Sequence, residues 1–296
     1  MHTSVLLNET IEGLDIHPGE VVFDGTLGAG GHSEAICARF GANITLVAAD
    51  RDEGALELAR ARLEQYPCQK MYNLASFDEI SSLLARSPFR QISRAVLDLG
   101  ISSMQLDTSG RGFSFMRDEP LMMTMSARPG EAEITAYDVV NSWSEETLAE
   151  IFSGFADEKF PGRIARSIVE ARKITPIKTT LELARIVTEA IPAKFRHGKT
   201  HPATQVFLAI RMAVNGELQV LERGIENIVR VLAPGGRLAV ISFHSVEDRM
   251  VKKHFKALAD QGVVSLVNKK PIIPTREEVL SNPRSRSAKL RIVEKI

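Results

Sequence analysis

Asp24-Gly25-Thr26-Leu27-Gly28-Ala29-Gly30-Gly31-His32 decides the fold. Before it, Glu20 to Phe23 reads as a strand, and after it His32 to Phe40 reads as a helix. A glycine turn between a strand and a helix lets backbone N–H groups approach a ligand closely, and the helix start favours negative charge. The turn therefore marks a nucleotide-like ligand site.

Two ligand classes use such a turn, nicotinamide dinucleotides and S-adenosylmethionine. A dinucleotide fingerprint G-x-G-x-x-G begun at Gly28 requires glycine at position 33, which is Ser33. An acidic residue just before the turn, here Asp24, is more typical of the second class.

Outward from the turn, Ile44 to Ala49 reads as a second strand, closed by Asp50. A carboxylate there can accept from both ribose hydroxyls of an adenosine. The alternative is a cap for the helix expected over Glu53 to Gln65. Asp52 can fill that position, which leaves Asp50 for the ligand. Gln69 to Leu74 reads as a third strand. Phe77 beyond it either stacks on adenine or belongs to the core. Ile80 to Leu84 looks helical, and Arg94 to Leu99 is a fourth strand leading into Asp98-Leu99-Gly100-Ile101-Ser102-Ser103.

In doubly wound folds chemistry sits at the carboxyl ends of strands. Asp98 is therefore a candidate catalytic residue, accepting N–H groups of a substrate amine or of the cofactor. The alternative is a turn or cap residue. The βαβα rhythm implies a parallel sheet with helices on both faces.

From Gln105 to Pro129 the periodicity stops, and a loop of that length suits a cover over a site. From Ser144 the pattern is purely helical, with Leu148, Ile151, Phe152 and Phe155 on one face. Further helices carry Ile164, Ile168 and Val169, then Thr180 to Ile191. Ala203 to Leu232 is helical with a break at Asn215-Gly216. Pro234-Gly235-Gly236 turns into a strand over Arg237 to Ser242, followed by a helix over Val246 to Gln261. Val263 to Val267 and Ser287 to Val293 read as an antiparallel hairpin at the sheet edge. The expected fold is α/β, a doubly wound sheet with an antiparallel edge hairpin and an inserted all-helical domain. The boundaries fall at 1–134 with 212–296, and at 135–211 for the insert.

Ser242-Phe243-His244-Ser245-Val246-Glu247-Asp248-Arg249 ends the fifth strand on the same rim as Asp98. His244 is a second catalytic candidate, meeting a base or a phosphate, or else it is structural. Asn282 to Ser287 reads as a phosphate-contacting loop with Arg284 and Arg286. Arg196, Lys199 and His201 form a similar group in the insert.

The formal net charge is +0 but unevenly spread. Lys159 to Arg211 holds eleven Lys/Arg and three Asp/Glu, and Asn268 to Ile296 holds eight and three. Two basic segments on a neutral chain point to a polyanion such as nucleic acid, or else to solvated helix faces. Apolar runs such as Leu238-Ala239-Val240-Ile241 are far too short to span a bilayer. Cys37 and Cys68 form no CxxC pair, so neither a disulfide framework nor a metal site is expected, and a reducing cytoplasm fits.

Several motifs occur in order along the chain. They are His2-Thr3-Ser4-Val5-Leu6-Leu7-Asn8-Glu9, Gly30-Gly31-His32, the Asp98 loop and Arg111-Gly112-Phe113-Ser114-Phe115. His201-Pro202-Ala203-Thr204, Ser242 to Arg249 and Asn282 to Arg291 follow. Together they resemble the bacterial 16S rRNA (cytosine-N4)-methyltransferase family over essentially the whole chain. The resemblance implies a class I S-adenosylmethionine-dependent methyltransferase fold. It implies N4-methylation of a cytidine in the decoding region of 16S rRNA within the small ribosomal subunit. Cofactor contacts would be Gly30, Gly31, His32, Asp50, Phe77, Asp98 and Gln105, the last implied by the resemblance alone. RNA contacts would include Arg111. The chain departs from the family at Met122, Thr124 and Ser126, where polar residues are typical, and at Gln205 and Leu208.

Overall fold

The structure, a computed structural model, describes residues 4–127, 129–130, 133–196, 198 and 200–296. It divides into two compact units, Met1–Gly100 with Leu218–Ile296, and Ile101–Glu217.

The first unit is built on seven strands: β1 Val21–Asp24, β2 Thr45–Asp50, β3 Gln69–Leu74, β4 Ile92–Asp98, β5 Leu232–Ser242, β6 Val264–Leu266 and β7 Lys289–Lys295. Their order is β3-β2-β1-β4-β5-β7-β6, with β1 to β5 parallel and β7 antiparallel to both β5 and β6. This is the sheet expected from the βαβα rhythm and its terminal hairpin, and it is the class I methyltransferase sheet.

Side chains alternate along each strand, so one sheet supplies two cores. Val22, Leu46, Ala48, Val96, Ala239 and Ile241 enter one apolar cluster. Phe23, Val47, Ala49, Ala95, Leu97, Leu238 and Val240 enter the other. Helices α1 Leu7–Leu14, α2 Gly31–Phe40 and α3 Glu53–Leu63 give buried residues to the first cluster. Helices α4 Ile80–Ala85, α11 Glu217–Val231 and α12 Ser245–Asp260 give theirs to the second.

One local outcome differs from the sequence reading. Pro234-Gly235-Gly236 is not a turn before a strand but a bulge within β5. Ile92 pairs with Leu232 and Arg94 with Arg237, which leaves the intervening residues of β5 unmatched. Cys37 and Cys68, unrelated by spacing, are both buried, with Cys68 Sγ 2.7 Å from Cys37 Sγ.

The second unit contains α5 Ser103–Asp107, α6 Ala136–Ser142, α7 Glu145–Ala156, α8 Pro161–Ile174, α9 Thr180–Ala190 and α10 Thr204–Asn215. Side-chain caps start most of them: Ser102, Thr135, Ser144 and Thr179 each accept from the backbone N–H three residues on. The unit opens at Ile101 rather than at residue 135 because the long loop packs with the helices. Phe113, Leu121 and Met123 are buried in one cluster with Val139, Val140, Phe152 and Ile210. The remaining helix, α13 Arg276–Ser281, belongs to the first unit. Among the described residues, no helix is long and apolar enough to cross a membrane.

Candidate functional site

Three carboxylates close three neighbouring strands: Asp24 ends β1, Asp50 ends β2 and Asp98 ends β4. Each also shapes the glycine turn. Asp24 Oδ2 accepts from Ser33 Oγ (2.6 Å) and Oδ1 from the Thr26 N–H (3.2 Å), so both ends of the turn are tied to one side chain. Asp50 Oδ2 accepts from the Gly28 N–H (2.7 Å), and its Oδ1 from the Asp52 N–H (2.9 Å). Asp52 caps α3 through the Gly54 N–H, as the sequence reading requires. The Asp98 N–H donates to Thr26 Oγ1 (2.6 Å), which fixes the turn to β4.

Glycine is required in this turn. Gly28 and Gly30 hold φ of 52° and 80°, in the left-handed region. A Cβ on Gly31 would come within 2.0 Å of Ser4 Oγ. The segment before α1 therefore lies against the start of α2. His32 confirms this, since its Nε2 meets the Val5 carbonyl at 3.1 Å. A carbonyl only accepts, so Nε2 carries the hydrogen. The other nitrogen, Nδ1, lies 3.6 Å from Asp98 Oδ2.

Burial dominates the electrostatics. It raises the Asp24 carboxyl to about 6, against the opposing hydrogen bonds from Ser33 and Thr26. It raises Asp50 as well. Asp98 rises to about 8, first through burial and then through the negative charges of Asp24 and Glu247. Asp98 Oδ1 is buried with no hydrogen-bond partner among the described residues. An unpaired buried acceptor costs free energy unless a ligand completes it. This rim is thus prepared for a ligand that brings N–H donors or positive charge.

A family model described as the MraW methylase family matches residues 1–296. The chain belongs to that family. Ribosomal RNA small subunit methyltransferase H of Clostridium botulinum (strain Loch Maree / Type A3) is 44% identical over 310 residues, covering 100% of this chain and 99% of that protein. The protein of that name from Syntrophus aciditrophicus (strain SB) is 43% identical, covering 100% and 98%.

The methyl donor of an MraW methylase is S-adenosylmethionine, and the rim fits it. The donor carries a sulfonium and an ammonium, and the three strands end in carboxylates. Gly30, Gly31, His32, Asp50 and Asp98 converge on this rim. Phe77 converges too, but its ring packs inward: a Cβ added to Gly224 would lie 2.2 Å from the ring, and one added to Gly25 would lie 2.7 Å from the Phe77 Cβ. Gln105 lies in the second unit, where its side chain accepts from the Ser102 N–H in the cap of α5. Among the described residues, no group of three His, Cys, Asp or Glu could hold a metal ion.

His244 has a helix-capping place. Its Nδ1 accepts from the Glu247 N–H (3.4 Å), its Nε2 sits 3.0 Å from Glu247 Oε1, and Glu247 Oε2 accepts from the Phe243 N–H (2.9 Å). The signal was present in the sequence, because Glu at the third helical position commonly reaches back across a cap.

The RNA candidates divide in the same way. Arg111 is buried, and its Nη1 donates to the carbonyls of Thr124 (3.0 Å) and Met125 (2.6 Å). Arg196 donates to the carbonyls of Ile191 and Glu189, closing the end of α9. His201 stacks on Phe115, ring centroids 4.5 Å apart, and its Nδ1 accepts from the Ala203 N–H. Arg284 and Arg286 are exposed beside α13. Lys199 lies outside the described residues.

The sequence reading missed the segment Ser4 to Leu6 as part of this site, although its motif supported the resemblance. Leu6 also donates its N–H to Glu278 Oε1 (2.8 Å), joining that segment to α13.

Proposed function

We propose that this chain transfers a methyl group from S-adenosylmethionine to the exocyclic N4 amine of a cytidine in the decoding region of 16S rRNA, within the small ribosomal subunit and in the cytoplasm. The reading rests on the names of relatives more than 40% identical over the full chain. Its chemistry is carried by one observation, the buried and unpartnered Asp98 Oδ1 at the end of β4.

S-adenosylmethionine supplies an electrophilic methyl group on a positively charged sulfur. The lone pair of the cytosine amine is conjugated with its ring and is a poor nucleophile. An acceptor that binds its N–H favours the pyramidal form and orients the lone pair, so positioning supplies most of the rate. Asp98 Oδ1 is that acceptor. Once ionised, as it is above about pH 8, its carboxylate also takes the proton that the methylated nitrogen sheds. Asp50 holds Gly28 and Asp24 holds Ser33, keeping the turn in shape.

A target base must leave its stack to reach such a rim, which favours a non-duplex site in structured RNA. The test is methylation of small subunits isolated from cells lacking this protein, with mass mapping of the product. The expected product is one N4-methylcytidine in 16S rRNA. Intact cofactor binding with no methyl group on any cytidine would refute the assignment.

A further inference from the structure

The arginines that the sequence pattern marks for RNA in the second unit, Arg111 and Arg196, are turned onto backbone carbonyls. A different side chain, next to Arg196 in the chain, faces outward. Phe195, in the short helical turn Ala193–Phe195, is 46% exposed. Its ring lies 5.1 Å from that of Phe160 at an interplanar angle of 49°, and Lys194 Nζ lies 5.0 Å from its centroid. Phe160 stands at the start of α8, between Lys159 and Arg163, and both of these are exposed.

The acidic side chains nearby are already engaged. Glu158 Oε1 accepts from the Phe160 N–H, and Glu189 pairs with Arg185. The patch is therefore an outward aromatic ring, supported by a second ring and flanked by Lys159, Arg163 and Lys194. An exposed phenyl ring gains nothing from water. Cations around it attract phosphates, while the ring offers a face to any base.

We propose that Phe195 is a stacking platform for an unpaired nucleobase of the RNA substrate, with Lys159, Arg163 and Lys194 meeting the adjoining phosphates. The inference rests on the rRNA reading above and adds an RNA contact within the second unit. Stacking on an aromatic side chain tolerates any base, because every base has a flat face. The platform thus holds single-stranded RNA without reading its sequence, and the cations make its grip salt-dependent.

The probe is a fluorescein-labelled unpaired oligouridine, with an RNA duplex as control. Wild type, Phe195→Ala, Phe195→Leu, Phe195→Tyr and Lys194→Ala are compared by anisotropy, and S-adenosylhomocysteine binding reports on an intact fold. Phe195→Ala should weaken oligouridine binding about five- to a hundredfold, the range of base–aromatic stacking. Phe195→Tyr should restore it and Phe195→Leu should not, since leucine repacks on Phe160 but cannot stack. Lys194→Ala should give a smaller loss with a shallower salt slope.

Oligouridine binding that is the same in wild type and Phe195→Ala overturns the platform alone. Rescue by Phe195→Leu overturns it too, by showing that the ring only packs. A defect confined to intact subunits, with oligouridine binding unchanged, assigns the ring to ribosomal protein and also overturns it. Wild-type protein that binds S-adenosylhomocysteine but neither oligouridine nor small subunits overturns the rRNA reading itself, and the platform with it.

Discussion

The two units use buried charge in opposite ways. At the strand ends of the first unit, burial raises the proton affinity of Asp24, Asp50 and Asp98, Asp50 adds to that of Asp24 and Asp24 to that of Asp98, and one Asp98 oxygen has no hydrogen-bond partner among the described residues. In the second unit the buried Arg111 serves the backbone of its own loop, and Asn215 does the same. Asn215 Oδ1 accepts from the Met125 N–H (2.8 Å), and its Nδ2 donates to the Met123 and Arg211 carbonyls. Frustration marks the place where a ligand must come, and satisfaction marks a part that only holds shape.

The largest expected effect tests the frustrated side. Asp98→Ala should lower methylation of small subunits about a hundredfold, the scale of a lost positioning contact. Asp98→Asn should separate charge from shape. Because the Asp98 carboxyl ionises only near pH 8, wild-type affinity for S-adenosylmethionine should rise from pH 6 to pH 9, and Asp98→Asn should be weaker and flat. The ligand-free fold should show the reverse slope. A folded carboxyl at about 8 holds a proton that the unfolded one releases near 3.8, so this group makes stability fall as pH rises between those values. A wild-type affinity that does not change with pH would remove the contrast between the units.

Next in size is Gly112→Ala in the second unit. Gly112 has φ of 76°, and a Cβ there would lie 2.3 Å from the Pro120 carbonyl oxygen, which is main chain and cannot rotate away. A loss of about 2–4 kcal/mol in chemical denaturation is expected. Gly31→Ala meets only Ser4 Oγ, the movable end of a side chain, and should cost less stability while disturbing the cofactor turn.

Arg111→Ala should cost about 1–3 kcal/mol, because two buried carbonyls lose their donor. The salt dependence of RNA binding should not change. A slope shallower by about one would mean that Arg111 does reach a phosphate, and the satisfied side of the comparison would fail.

The smallest effect is at His244. His244→Ala should lose about 1 kcal/mol as a helix cap, and His244→Asn should recover it. If His244→Asn folds like wild type but methylates tenfold more slowly, the ring touches substrate.

What the sequence discloses depends on how local the cause is. β3 is read over its observed span, Gln69–Leu74, and α3, α7 and α12 start within a residue of their expected positions. Each is announced by local periodicity or by a cap. Helix α1 is not, because its cap is Leu6 in the left-handed region with no side-chain hydrogen bond. Helix α6 does carry a cap, Thr135 with Asp138, but its seven residues are too few to establish a period. The loop before it resists reading because its backbone is held by contacts distant in sequence, from Arg111 within the loop and from Asn215 far beyond it. Methionines at Met122 and Met123 thus stand in a loop held by hydrogen bonds as well as by apolar burial. Within the site, Asp24, Asp50 and Asp98 are legible from their strand ends. That Asp98 keeps a free acceptor while Phe77 packs against Gly224 depends on tertiary contacts.

The hydrogen bond from His32 to Val5 makes one assay blind and another sensitive. The acceptor is a main-chain oxygen, so no substitution of the Val5 side chain removes it. Alanine at Val5 would therefore report lost core packing and leave this hydrogen bond in place. Deleting residues 1–5 would release the ring, let the hydrogen move to the other nitrogen and turn a lone pair away from Asp98. Nitrogen NMR of His32 in the full-length and shortened proteins would display that exchange directly.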